Sequence, residues 1–196
     1  MSRPVLLAIA LEMENDRHRL DRLADEVIYT GVGKVNAAIA LTRTLAGRET
    51  MPLVVNVGSA GSHSFNAGDV VCITEFIQRD MDATAIGVPL AVTPFEEGRS
   101  LKNGLAADDM PLAACFTGDS FVTEAHPEFH LEVIDMEAYA LAKTCQVFDA
   151  PFLCLKFITD GANGEAADDW RDAVILSAHR LEEALARVLP ALRTSA

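Results

Sequence analysis

The chain has 196 residues, of which 50% are hydrophobic and 23% charged, a composition that supports a folded core and argues against intrinsic disorder. Its 16 Lys and Arg against 29 Asp and Glu give a formal net charge of −13. Because nucleic acids and anionic membranes bind basic surfaces, this balance argues against both as partners and favours a neutral or cationic small molecule.

Continuous apolar runs alternate with amphipathic segments along the chain. The predicted order is strand 5–11, helix 16–24, strand 26–30, helix 35–45, strands 53–57, 69–74 and 112–116, helix 136–148, strand 152–158 and helix 170–189, which Pro190 ends. Residues 95–109 are the most loop-like and are expected to form a surface segment or lid. Apolar strands separated by helices indicate a sheet covered on both faces, and therefore an α/β sandwich.

The first predicted strand and the cysteines indicate the cellular compartment of the protein. Residues 5–11 are similar to a short signal core, but acidic residues follow without a small-residue cleavage site, so a buried strand fits better. No apolar run approaches the roughly 20 residues that span a bilayer. The cysteines lie in apolar stretches without C-x-x-C spacing, which predicts core thiols in a cytoplasmic protein. No domain boundary is visible, so residues 1–196 are expected to form one domain.

Polar side chains follow several of the predicted strands, where ligands gather in open α/β sheets. These candidates are Glu12 and Glu14 after the first strand, Ser59 and Gly61 after the third, Thr159 and Asp160 after the strand at 152–158, and Glu137 at the start of a helix. Carboxylates at different strand ends can converge on one cleft, which suits general acid–base chemistry.

Each candidate also has a purely structural interpretation. Asp160 could belong to a turn, Glu137 could complement a helix dipole with Asp135 as its N-cap, and residues 58–61 could be a tight strand-to-helix turn. The glycines at 31 and 33 lack the third glycine of a dinucleotide-binding loop. The histidines show no metal-ligand spacing, so no metal site is expected.

Taken together, the candidates form an ordered set. The set comprises Glu14 and residues 30–38, 56–61, 68–70, 117–121, 135–137 and 158–160. In this order the chain resembles the nucleoside phosphorylase/nucleosidase superfamily over nearly its whole length, and within it the 5'-methylthioadenosine/S-adenosylhomocysteine nucleosidases. The resemblance implies a three-layer sandwich with a central mixed sheet flanked by helices. It also implies hydrolysis of the N-glycosidic bond of an adenine nucleoside, without metal or cofactor, by a homodimer.

The resemblance implies a role for each matching residue. Asp160 would protonate purine N7, Glu14 would activate the attacking water, and Glu137 would bind the ribose 2'- and 3'-hydroxyls. Met136 would pack against the sugar. The other expected substrate-binding residues are Phe121 and Val122 beside the base, Ser59 and Gly61 near the water or phosphate, and Val32 and Thr159.

The nucleophile is the open question in this resemblance. Related phosphorylases typically place an arginine just before the Gly-Ser turn to hold phosphate, whereas this chain has Asn56, which favours water. Arg17 or Arg79 could supply a cation instead, so a phosphate-dependent phosphorylase remains the alternative, and a non-catalytic nucleoside-binding protein a further one. The chain also departs from the nucleosidases at 24–26 and 85–110, which look shortened, at Asp135 in place of Glu, and at 163–164.

Overall fold

The computed structural model describes residues 3–124, 126, 128–162 and 166–194, without the side chains of residues 166–172 and 175. The strands are β1 (Val5–Ile9), β2 (Glu26–Tyr29), β3 (Leu53–Ser62), β4 (Val70–Gln78), β5 (Ser100–Leu101), β6 (Leu112–Thr117), β7 (Val133–Asp135) and β8 (Phe152–Asp160). The α-helices are α1 (Lys34–Leu45), α2 (Ala138–Val147) and α3 (Ala166–Thr194). Single 3-10 turns lie at Glu12–Glu14, Asp16–His18, Asp21–Leu23 and Thr84–Ile86.

The described strands form one mixed sheet. Strand β1 pairs in parallel with β2 and β3, and β3 pairs in parallel with β8. Strand β4 is antiparallel to β8 and parallel to β6. Strand β7 lies between β6 and the end of β3, to which it is antiparallel, so that β3, β8, β4, β6 and β7 close into a ring.

Helices cover both faces of this sheet because its strands are apolar on both sides. In β1, Leu6 and Ala8 join a core cluster with residues of α1 and α2, whereas Val5, Leu7 and Ile9 join a second cluster with residues of α3. This alternation follows from the two-residue period of a strand. The predicted fold, a central mixed sheet between layers of helices, is confirmed.

Strand β3 is longer than its local sequence predicts. The glycine-rich residues 58–61 were expected to form a turn, but β3 continues to Ser62. Its pairing with β8 runs through Ser59 and Ala60 and shifts register only at Gly61. Pairing with a neighbouring strand therefore overrides the turn preference of Gly and Ser, and the polar end of β3 stays within the sheet.

Two other expectations are wrong in detail. Residues 16–24 form 3-10 turns rather than a helix, with Arg17 and His18 at positive φ values of 54° each. Helix α3 passes through Pro190 to Thr194 because Arg193 anchors its last turn, donating to the Leu23 carbonyl. Pro190 removes one helix hydrogen bond and its ring crowds the carbonyl four residues earlier, and the helix continues only as far as Thr194 beyond it.

The expected lid at 95–109 is partly built into the sheet. Its residues Ser100 and Leu101 form β5 against β4, and the amide of Leu105 donates to the Phe152 carbonyl. Leu101 and Ala107 are buried. These contacts exclude a freely moving lid over the whole stretch.

The cysteines agree with the sequence expectation. Each of the four cysteines is free and buried, as predicted for core thiols. Among the described residues, no helix has the combination of length and apolar character that crossing a bilayer requires.

Candidate active site

A cavity of about 240 Å³ opens where the carboxyl ends of the parallel strands β1, β3 and β8 meet. Every predicted site residue except Glu12 and Thr159 lines it: Glu14, Val32, Ser59, Gly61, Phe121, Val122, Met136, Glu137 and Asp160. Glu12 is exposed to solvent. Thr159 does not line the cavity, but its hydroxyl donates to Oδ2 of Asp160 at 2.7 Å. The residues that line the cavity but were not predicted include Leu11, Ile134 and Ala162, whose apolar side chains carry no sequence signal of their own.

Glu14 is held by the end of β3. Its Oε1 accepts hydrogen bonds from the amide and the hydroxyl of Ser59, at 2.8 and 2.7 Å, and its Oε2 accepts from the Leu11 amide at 3.1 Å. The close approach depends on Gly58, since a Cβ there would lie 3.1 Å from Oε1 of Glu14. Glu14 is buried and fixed in direction, as a general base needs to be.

Asp160 ends β8 and is equally constrained. Oδ2 accepts from the Thr159 hydroxyl, and Oδ1 accepts from the Ala162 amide at 2.8 Å. Gly61 faces Oδ1 across the bulge between β3 and β8. Among the described residues, one hydrogen bond reaches each oxygen, and this buried carboxyl lines the cavity, where it can meet a ligand.

Glu137 is the N-cap residue of α2, and its Oε1 accepts from the Gly33 amide at 2.8 Å. Gly33 has a φ of +91°, which favours glycine at this position. Burial, together with the nearby charge of Asp135, raises the pKa of Glu137 to about 7, although Lys156 acts in the opposite direction. Glu137 therefore changes charge near neutral pH.

A buried ion pair between Lys156 and Asp135 lies next to Glu137. Nζ of Lys156 lies 2.8 Å from Oδ2 of Asp135, and both side chains are almost fully buried. Sequence analysis missed Lys156 because it lies inside an apolar run, FLCLKFI, that simply predicts a strand. The signal that could have found it is the single charge in that run, since a buried lysine needs a partner.

The two proposed alternative cations lie elsewhere. Arg17 is exposed and pairs with Asp16. Arg79 is buried beneath the loop after β6, where its guanidinium donates to the carbonyls of Gly118 and Ser120 and to the Ser120 hydroxyl. Asn56 is also buried, and its amide donates to the Ala8 carbonyl at 3.0 Å. Among the residues the structure describes, no Lys or Arg lines the cavity.

The arrangement combines four carboxylates with an otherwise largely apolar lining, namely Glu14, Asp135, Glu137 and Asp160. Asp135 is engaged by Lys156, which leaves the other three to face a ligand. Asp160 is the last residue of β8, Glu14 lies in the 3-10 turn that follows β1, and Glu137 is the N-cap residue of α2. Within the described part of the chain, no group of three or more His, Cys, Asp and Glu is placed to hold a metal ion. The departures noted at residues 163 and 164 lie outside the described residues. Such a site can hold a neutral ligand and exchange protons with it at more than one point.

Comparison with known proteins places this geometry in a family. The sequence matches the phosphorylase superfamily over residues 26–192. The chain belongs to the phosphorylase superfamily. This confirms the relationship expected from the motifs, and the matched range includes Ser59, Glu137 and Asp160 but begins after Glu14.

Two superfamily relatives illustrate the similarity in sequence. The 5'-methylthioadenosine/S-adenosylhomocysteine nucleosidase of Staphylococcus carnosus is 36% identical over 168 residues, covering 72% of this chain and 71% of that protein. The protein of the same name from Staphylococcus aureus (strain MRSA252) is 34% identical over 163 residues, with the same coverage of 72% and 71%.

Solved structures also share the fold. The Helicobacter pylori nucleosidase of the same name, in complex with a pyrrolidine ligand, has a TM-score of 0.84 at 20% identity and covers 96% of this chain and 98% of its own. Futalosine hydrolase of Helicobacter pylori has a TM-score of 0.83 at 20% identity, with coverage of 93% and 95%. At these identities the likeness establishes the common fold, and the substrate has to be argued from the site.

Proposed function

We propose that this chain is a nucleosidase that hydrolyses the N-glycosidic bond of an adenine nucleoside, such as 5'-methylthioadenosine or S-adenosylhomocysteine, and releases adenine. The observation that carries the proposal is the convergence of Glu14, Glu137 and Asp160 on one cavity. The names of the Staphylococcus relatives support the same reaction and substrates.

In this proposal Asp160 is the acid. When the bond between the sugar C1' and the purine N9 breaks, the bonding electrons leave with the base, and a proton at N7 neutralises them. Thr159 and the Ala162 amide hold the two oxygens of Asp160, so that a proton shared with the ligand points into the cavity. The arrangement is analogous to the protonated leaving group in glycoside hydrolysis.

Glu14 is the proposed base on the opposite side of the reaction. A water molecule attacks C1' through its oxygen, and Glu14 takes up the proton that the water loses. Ser59 fixes the direction of Glu14 through two hydrogen bonds, which keeps the accepting oxygen in place. Glu14 lies in the 3-10 turn after β1, and because both donors come from β3, a rigid strand holds its carboxylate in place.

Glu137 is the proposed ligand of the ribose diol. A carboxylate accepts hydrogen bonds from two neighbouring hydroxyls, and its negative charge stabilises the positive charge that develops on the sugar. Met136 packs against the sugar, while Phe121 and Val122 border the base. The cavity lining supports these positions.

Water is the proposed nucleophile rather than phosphate. A phosphate site needs cationic donors. Asn56 is neutral, Arg17 is exposed on the surface, and Arg79 donates to backbone carbonyls. The charge around the cavity is instead supplied by carboxylates, which would repel phosphate. These observations favour hydrolysis over phosphorolysis.

Product analysis tests the proposal. The purified protein is incubated with methylthioadenosine, S-adenosylhomocysteine and adenosine, each with and without phosphate, and free adenine and the sugar product are quantified. We expect adenine and the free sugar at a rate that phosphate does not change. Strict phosphate dependence with a sugar 1-phosphate product would establish a phosphorylase, and no adenine from any substrate would refute the nucleosidase.

We further propose a cytoplasmic homodimer of single-domain subunits. An exposed apolar strip formed by Val32, Val35 and Ile39 runs along α1, and Phe121 is exposed on the adjoining loop. Asp119 joins the two segments by accepting from the Lys34 amide. Burial of such a strip by a second copy would exclude water beside the cavity. Val35→Glu should shift the mass measured by light scattering from dimer to monomer, and Val147→Glu, at an exposed position of α2, is the control.

A further inference from the structure

Lys156 is a charged residue in the middle of a core strand. Its alternate neighbours on β8, Cys154 and Ile158, belong to the cluster that packs under α1 and α2, and its side chain is 2% exposed. Removing a lysine and an aspartate from water usually costs more than their attraction returns, so the pair with Asp135 is a poor device for stability alone. The position of the pair suggests another use.

Asp135 connects Lys156 to the residue that is proposed to bind the diol. Oδ2 of Asp135 accepts from the amides of Glu137 and Ala138, at 3.2 and 2.8 Å, and so caps the first turn of α2. Oδ1 accepts from the Thr117 hydroxyl at 2.6 Å, and the same hydroxyl oxygen accepts from the Tyr139 amide at 3.0 Å. The backbone of Glu137 is therefore set by a network that Lys156 completes.

Charge is the second link between Lys156 and Glu137. The titratable and charged groups around Glu137 and its support are Glu14 of the first 3-10 turn, Arg79 after β4, Cys115 of β6, Asp135 of β7, and Cys154, Lys156 and Asp160 of β8. Asp135 and Glu14 raise the pKa of Glu137, and Lys156 lowers it. Without Lys156, Asp135 and Glu137 would lose the buried cation that lowers the pKa of both carboxyls.

We propose that Lys156 is a positioning residue for Glu137. Lys156 pairs with Asp135, which holds the first turn of α2 in place, and its positive charge favours the ionised form of Glu137. The inference rests on the proposed function, in which ionised Glu137 binds the diol. Lys156 acts through its positive charge rather than its shape. An apolar side chain of similar length would fill the space but would leave Glu137 protonated over a wider pH range.

The test compares Lys156→Met with Lys156→Arg. Titration of Glu137 is followed by ¹³C NMR of its side-chain carboxyl in the unliganded protein, with Glu137→Gln to assign the signal. Lys156→Met should raise the pH midpoint of this titration by about one unit or more, whereas Lys156→Arg should leave it near the wild-type value. The acidic limb of the kcat/KM profile should move by the same amount, so that Lys156→Met loses roughly ten times more activity at pH 6 than at pH 8.5.

Two further variants separate charge from structure. Phe157→Leu perturbs the same strand on its other face and should lower stability without moving the titration of Glu137. Asp135→Asn removes the opposite charge and should lower the midpoint, the reverse of Lys156→Met. Because that shift follows from the loss of the Asp135 charge alone, Lys156 is judged by its own variants. If Lys156→Met does not fold, Lys156→Gln replaces it, and an unchanged midpoint in the folded variant overturns the inference.

The failure of the inference can be distinguished from the failure of the proposed function. If the wild-type protein releases adenine but Lys156→Met leaves both the titration and the pH profile unchanged, Lys156 is only a structural residue and the inference is wrong. If the wild-type protein releases no adenine, the nucleosidase proposal is wrong, and the NMR midpoint alone decides whether Lys156 controls the charge of Glu137.

Discussion

Gly61 and Asp160 approach so closely that a Cβ at position 61 would lie 2.8 Å from Oδ1 of Asp160. The same Cβ would lie 3.2 Å from the Cβ of Ala162, whose amide holds that oxygen. Neither Asp160 nor Ala162 can move away easily, because Asp160 is the last residue of β8 and the Ala162 amide is hydrogen-bonded to it. Gly61 is thus a condition for the position of the proposed acid.

Gly61→Ala should therefore impair turnover more than stability. We expect kcat to fall by about 10- to 100-fold, as for a small misplacement of a catalytic group, while the protein remains folded. The measurement is kcat for adenine release beside the thermal midpoint. Val55→Ala, on the face of β3 toward α3, is the control and should lower the midpoint with little effect on kcat. Unchanged kcat in Gly61→Ala would contradict a catalytic position for Asp160.

Asp160→Asn tests the acid directly. The amide keeps the size of the side chain but cannot donate a carboxylic proton, so kcat should fall by about 10²- to 10⁴-fold. Nucleoside binding, measured by calorimetry, should survive. Asp108→Asn makes the same change at an exposed position and should have no effect. Wild-type protein that binds nucleoside without any turnover would instead indicate a non-catalytic binding protein.

Much of this site could be predicted because its chemistry lies at strand ends that sequence patterns mark. Glu14 and Asp160 each follow an apolar run, and their convergence follows from parallel strands meeting at one edge. Strand β7 escaped prediction because three residues are too few to show a period. Lys156 escaped because a pattern of apolar residues does not reveal which interior partner a buried charge will meet. Pairing with β8, which local propensity cannot show, also turned residues 58–61 from a turn into strand.

Glu137→Gln should stabilise the protein above neutral pH. Folding raises the pKa of Glu137 from 4.5 to about 7, so the folded state binds more protons than the unfolded state between these values. Stability is therefore lost as the pH rises through this window, and the loss is complete above about pH 7. Removing the charge should recover on the order of 2–3 kcal/mol at pH 8.5 and almost nothing at pH 4.

Urea unfolding of wild type and Glu137→Gln at both pH values measures this difference. Gln can still accept a hydrogen bond from the Gly33 amide, so the substitution removes the charge at position 137 and keeps this contact. Equal stability of the two proteins at pH 8.5 would contradict the raised pKa. Adenine release by the stabilised variant should be strongly reduced, since the diol loses its charged partner.

The pH dependence of the wild-type reaction should report the same group. Only ionised Glu137 can accept hydrogen bonds from both ribose hydroxyls and stabilise the developing positive charge, so kcat/KM should fall about tenfold per pH unit below an apparent pKa near 7. The profile of kcat/KM is the proper measurement because it reflects the free enzyme. Once nucleoside is bound, the diol favours the ionised carboxylate, so the limb in kcat should lie at lower pH. A kcat/KM that stays constant between pH 5.5 and 8 would show that Glu137 is ionised throughout and that burial and Asp135 do not control it.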